Sequence, residues 1–140
     1  MSLDLLGYKG KTVAITGAAT GMGAAVARTL VALGAEVHAL DVKPVTAPVA
    51  QATVVDLRER ASIDAAVAKL PAHVDRLFNC AGLPGPPFSN LDTTLVNFVG
   101  LRHLTEAVLP RIPSGGAVAS ITSVAGMGWQ KNLDSVKALC

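Results

Sequence analysis

Apolar residues along this chain alternate between two periods. Short, nearly unbroken apolar runs recur at Thr12–Thr16, Glu36–Val42, Ala52–Asp56, Arg76–Asn79 and Ala117–Thr122. Runs of this length, without polar alternation, are the mark of strands buried on both faces. Between them the spacing turns helical. Met22, Val26, Leu30 and Leu33 predict a first helix, with Gly34 just past its end as a C′ residue. Ser62 reads as the N-cap of a second helix carrying Ile63, Ala66, Val67 and Leu70, closed by Pro71. A third runs from about Asp92 to Leu109, with Leu95, Val99, Leu104 and Val108 nearly on one stripe and Pro110 at its end. Strands alternating with helices predict an α/β fold, a doubly wound parallel sheet of at least five strands with helices on both faces.

The first strand runs straight into a glycine-spaced turn, Thr16-Gly17-Ala18-Ala19-Thr20-Gly21-Met22-Gly23, that opens the first helix. Backbone N–H groups and the positive end of the helix dipole converge there on an anion site, whose usual occupant is a dinucleotide pyrophosphate. Each glycine has its own task. Gly17 permits a sharp turn, Gly21 keeps a Cβ away from the phosphates, and Gly23 lets the helix pack close to the strand. Thr20 and Met22 sit between these glycines as part of the same cradle. In such sheets the ligand crevice lies beyond the carboxyl ends of the strands. Asp41 stands at one such end, 18 residues after Gly23. A carboxylate there accepts the hydroxyl hydrogens of the adenosine ribose and repels a 2′-phosphate, which favours NAD over NADP. Lys43 close by softens that preference; the alternative is a solvated turn aspartate.

Composition narrows the picture by exclusion. A chain of 140 residues that is 51% hydrophobic and 16% charged suits one domain with a buried sheet. A net charge of +2, basic residues scattered singly, one Trp and one Tyr give no support to nucleic-acid binding. Cys80 and Cys140 suggest neither a disulfide framework nor a metal site, and His38, His73 and His103 lack metal-ligand spacing; a reducing, cytoplasmic setting is the expectation. Asp4 sits where a signal peptide would want positive charge. The charge-free stretch Ile112–Gln130 contains Pro113, Gly115, Gly116 and several Ser and Thr residues. It reads as a turn and a buried strand, so no membrane partner is expected.

The Thr-Gly-x-x-x-Gly-x-Gly turn, Asn79-Cys80-Ala81-Gly82 after the fourth strand and Ser120–Gly126 after the fifth resemble the short-chain dehydrogenase/reductase family, in its compact single-domain branch. The likeness runs from roughly Lys11 to Gly126. It implies a Rossmann-type fold, a nicotinamide cofactor, a small-molecule alcohol or ketone substrate, and a homodimer or homotetramer. By the same resemblance, Asp56 accepts a hydrogen bond from the adenine amino group and the Leu57 N–H serves a ring nitrogen, although Asp56 alone also suits a helix start. Asn79, Ala81 and Gly82 run beside the adenosine half of the cofactor. Cys80 departs from the family's commoner asparagine and reads as a packed, inert thiol.

Asn97, a poor residue for a helix interior, holds a water or a backbone group unless it faces solvent; the resemblance makes it hold a water of the proton relay. Ser123 is the residue implied to bind the substrate oxygen, with Ser120 structural. The family's Tyr-x-x-x-Lys pair is missing. Tyr8 precedes the first strand, and Lys131 and Lys137 have no tyrosine partner. Two readings follow: the N-terminal portion of a longer enzyme, or a non-catalytic NAD-binding module. Ser123 has little use without the tyrosine, and an apolar fifth strand would be a bare sheet edge, which favours the first. The Cys80–Leu83 segment, together with the extension 126–140, is similar to hydroxysteroid and aryl-alcohol dehydrogenases.

Overall fold

A computed structural model describes residues 6–139, so Asp4 and Cys140 lie outside the described residues. The strands are β1 (Thr12–Thr16), β2 (Glu36–Asp41), β3 (Gln51–Val54), β4 (Arg76–Asn79) and β5 (Ala117–Ser120). They form one sheet in the order β3-β2-β1-β4-β5, and every neighbouring pair is parallel. Chain order reverses between β1 and β4, where connections leave in opposite directions and a crevice must open at the carboxyl ends. Helices cover both faces. Val13 and Ile15 of β1 pack with Ala27 and Leu30 of α1 (Gly21–Ala32), while Ala14 packs on the opposite side with residues of α2 (Arg60–Ala68) and α4 (Leu101–Val108). That alternation is the two-residue period of a strand dividing two cores.

The predicted strands are all present, with ends that shift by one or two residues. β3 ends at Val54 rather than Asp56, and β5 at Ser120 rather than Thr122, although the Ile121 N–H still donates to the Asn79 carbonyl at 2.9 Å. The fifth strand is not the buried one its apolar run predicts: all four β5 residues are exposed, because among the described strands β5 pairs with β4 alone.

Helix details differ more. Met22 of the expected α1 stripe is exposed, and the buried face is Gly23, Ala24, Ala27 and Leu30. Small residues there bring the helix axis close to the sheet. Ser62 is not an N-cap: α2 begins at Arg60 with Glu59 as its cap, and the Ser62 hydroxyl accepts from the Asp56 N–H at 2.9 Å. Ile63, Ala66, Val67 and Leu70 are buried as the spacing predicts.

The long helix has three parts: α3 (Asn90–Thr94), capped by the Ser89 side chain; a π turn over Leu95–Gly100; and α4. A π turn takes up an extra residue and rotates everything before it. The buried stripe is therefore Val96, Gly100, Leu104 and Val108, whereas Val99 is exposed and Leu95 half-buried. Gly100 is held against the Leu57 carbonyl, leaving no room for a Cβ. A 3-10 turn (Leu109–Arg111) follows α4; a 3-10 segment (Val124–Asn132) and α5 (Leu133–Leu139) follow β5.

At the amino end of the sheet, the Asp75 carboxylate accepts from the Thr12 N–H at 2.9 Å and from Lys11 Nζ at 3.1 Å, with His73 Nε2 3.3 Å away. Burial pushes this carboxyl up, but the Thr12 amide and the Lys11 and His73 side chains outweigh it and hold the group at about 2. The other histidines also face carboxylates, His38 with Glu36 and His103 with Asp64. Among the described residues no His/Cys/Asp/Glu group could hold a metal ion, and no helix is long and apolar enough to cross a membrane.

Candidate functional site

A cleft of about 410 Å³ opens beyond the carboxyl ends of β1 to β4. Its floor is the glycine turn. Gly17 adopts a φ of 70°, and a Cβ on it would stand 2.5 Å from the Ala81 amide nitrogen, so the β1 and β4 ends can meet only at a glycine. The Thr16 hydroxyl joins them further by accepting from the Cys80 and Ala81 N–H groups, both at 3.2 Å. Gly23 lies against the Gly17 carbonyl group, which brings the first turn of α1 onto the glycine turn itself. Gly21 has a φ of 57°, and a Cβ there would meet nothing within 4 Å. Tight packing on Gly17 and Gly23 beside open space at Gly21 is the shape of a cradle built for a group that is not protein. Backbone amides of a helix's first turn, which have no partner within the helix, suit an anion.

Asp41 closes one wall. Its Oδ2 accepts from the Ala19 N–H at 2.9 Å and its Oδ1 from the Lys43 N–H at 2.8 Å, so one carboxylate ties the end of β2 to the glycine turn. Each oxygen retains a further lone pair for a hydroxyl donor. The next wall follows β3. Asp56 is bound through both oxygens by Arg58, at 3.0 and 3.2 Å from Nε and 2.6 Å from Nη2, and Arg58 Nη1 reaches Asp92 at 3.4 Å. The Arg58 guanidinium lowers the Asp56 carboxyl below its usual range, and the Ser89 hydroxyl, with Arg58, lowers Asp92. Cys80 lines the cleft half-buried, and burial raises its thiol.

Gly17, Thr20, Gly21, Met22, Gly23, Asp41, Asp56, Leu57, Ala81 and Gly82 all line this one cleft. Asn79 does not. It is buried beneath, donating to Thr105 Oγ1 at 3.0 Å and Ser120 Oγ at 3.3 Å. Asn97 acts on the wall from behind: its Oδ1 accepts from the Leu83 N–H at 2.8 Å and its Nδ2 donates to the Leu83 carbonyl at 2.9 Å. Ser123 is exposed at the same end of the sheet, beyond β5, outside the cleft lining. Tyr8 packs near Phe78, with ring centroids 6.3 Å apart, and does not line the cleft. The parts played by Thr16 and Arg58 were not anticipated from sequence, nor were Leu40, Val42, Val55, Phe88 and Val96 in the lining. Thr16 is a polar residue ending an apolar strand, a visible signal. Arg58 carries no signal beyond standing two residues after an aspartate.

The family model for short chain dehydrogenases matches residues 11–133. The chain belongs to that family of oxidoreductases. It is 38% identical over 129 residues to a coniferyl-alcohol dehydrogenase of Pseudomonas sp., covering 92% of this chain and 50% of that protein. It is 34% identical over 125 residues to a 3-alpha-hydroxysteroid dehydrogenase/carbonyl reductase of Comamonas testosteroni, covering 86% of this chain and 48% of the other. The chain thus spans about half the length of these curated relatives. Among solved structures, levodione reductase superposes with a TM-score of 0.73 at 26% identity, over 85% of this chain and 56% of that one. The family uses nicotinamide cofactors, and structures of this fold hold NADH in one case and NADPH in another.

Proposed function

We propose that the protein carrying this chain is an NAD-dependent oxidoreductase that interconverts a secondary or aryl alcohol, hydroxysteroids included, and its carbonyl compound. The observation that carries this reading is the Asp41 carboxylate, fixed by the Ala19 and Lys43 amides beside the open cradle at Gly21. It offers acceptors to ribose hydroxyls and repulsion to a 2′-phosphate. The amides of the glycine turn would hold the pyrophosphate, Asp56 and Leu57 the adenine, and Ala81 and Gly82 the adenosine side, with Asn79 supporting them from beneath. The nicotinamide ring, when bound, supplies or takes up the hydride. Ser123 would steady the substrate oxygen with a neutral donor. Asn97 would support the proton relay while setting the backbone of Leu83. Proton transfer itself needs an acid–base pair, and the chain holds no Tyr-x-x-x-Lys. The alcohols named for the relatives, coniferyl alcohol and a 3α-hydroxysteroid, are the first substrates to try.

Calorimetric titration of the full-length protein with NAD and NADP tests the cofactor. NAD is expected to bind more tightly. Asp41→Ala should weaken NAD by about tenfold or more, since hydrogen bonds to a charged acceptor are worth ~1.5–3 kcal/mol, and should narrow the preference over NADP. No saturable binding at millimolar NAD would refute the assignment.

A further inference from the structure

Arg58 is held by two carboxylates. Its Nε–H and one Nη2–H grip the Asp56 carboxylate side-on, and Nη1 reaches Asp92 on α3, so carboxylates from two different elements take up the edge of the guanidinium. Both anchors are themselves fixed. The Asp56 N–H donates to Ser62 Oγ at 2.9 Å; Asp92 Oδ2 accepts from Ser89 Oγ at 2.7 Å. An edge engaged at three N–H groups fixes the plane and leaves the faces of the group available to another partner. The side chain is 45% exposed and lines the cleft along with Asp56, Leu57 and Phe88.

Three of its five N–H donors are held by carboxylates and its charge is offset by two of them; a planar cation so placed in a cleft lining suits a flat π system better than an anion. On the cofactor reading above, the flat group at this end of the cleft is a purine. We propose that Arg58 forms one face of the adenine seat, stacking on the base, with Asp56 and Asp92 holding its plane. Asp56 then acts on the base chiefly through Arg58, because both its oxygens already bear the guanidinium.

The test uses the full-length protein, with NAD titrated against wild type, Arg58→Leu, Arg58→Lys and Asp92→Asn, each checked for an unchanged Tm. Arg58→Leu is expected to weaken NAD by about tenfold, within the range for loss of one stacked base. Arg58→Lys, which keeps the charge but not the plane, should bind as weakly as the leucine variant. Asp92→Asn should give a smaller loss. Wild-type binding with Arg58→Leu within about twofold of it would overturn this inference alone, as would full rescue by lysine, which would leave charge as the agent. Absence of NAD binding by the wild type would overturn the cofactor reading instead, and this inference with it.

Discussion

Replacing Gly23 by alanine separates packing from conformation at the glycine turn. Gly23 lies in a helix with ordinary dihedrals, where alanine is the better residue by about 1 kcal/mol. Any loss must therefore come from contact. The added Cβ would stand 2.7 Å from the Gly17 carbonyl carbon, nearer still to its oxygen, and 3.2 Å from the Cys80 Cβ. Carbon atoms rest at about 3.5–4.0 Å, so α1 and the turn must part by roughly 1 Å. The nearest atoms are Gly17 backbone and the Cys80 Cβ, which is fixed to its own backbone, so no flexible side-chain end can give way. Overpacking of this kind costs roughly 1–3 kcal/mol or more, and at about 2–4 °C per kcal/mol Tm should fall by roughly 3–10 °C.

Gly21→Ala is the control. Its methyl meets nothing, and the cost is that of one left-handed alanine, roughly 1–2 kcal/mol. Both variants should lose NAD affinity, Gly23→Ala by displacing the amides and Gly21→Ala by filling the cradle. Thermal melts with parallel titrations decide it. A Gly23→Ala protein within about 1 °C of wild type, still binding NAD normally, would refute the reasoning.

Two further outcomes follow from other contacts. The Asp75 carboxyl is lowered from 3.8 to about 2, so its contribution is present above pH 3.8 and lost as pH falls toward about 2. Urea midpoints of wild type should drop across that window, and Asp75→Asn should start lower at neutral pH and lose that part of the acid limb; parallel curves would contradict the assignment. Asn97→Ala removes both bonds to Leu83; because they are exposed and water can take their place, the loss is about 0.5–1.5 kcal/mol. Amide exchange at Leu83 should quicken markedly, and unchanged protection there would argue against a clamp.

Much of the architecture was legible because buried parallel strands leave unbroken apolar runs. β1 and β4 match their expected bounds, and the glycine spacing located the cradle. What escaped has particular causes. The α1 stripe was read from large residues, yet the sheet is met by Gly23, Ala24 and Ala27, whose smallness is the means of close approach. Ser62 has the residue type of a cap, but its hydroxyl serves the Asp56 amide six residues back. The expected stripe stepped five residues from Val99 to Leu104, which helical spacing sets about 140° apart, whereas the buried positions step by four through Gly100, a residue with no hydrophobic signal of its own. The locking of Arg58 depends on Asp92, 34 residues away, a pairing that only the folded chain brings about.

The π turn also sets two demands on one segment against each other. Excising a single residue between Leu95 and Gly100 would yield a longer regular helix, with better internal bonding. It would also swing the amino-terminal half by about 100°, and Asn97 and Gly100 could no longer meet Leu83 and Leu57 together. Helical perfection and a correctly shaped crevice are thus incompatible here, and the chain keeps the irregular solution.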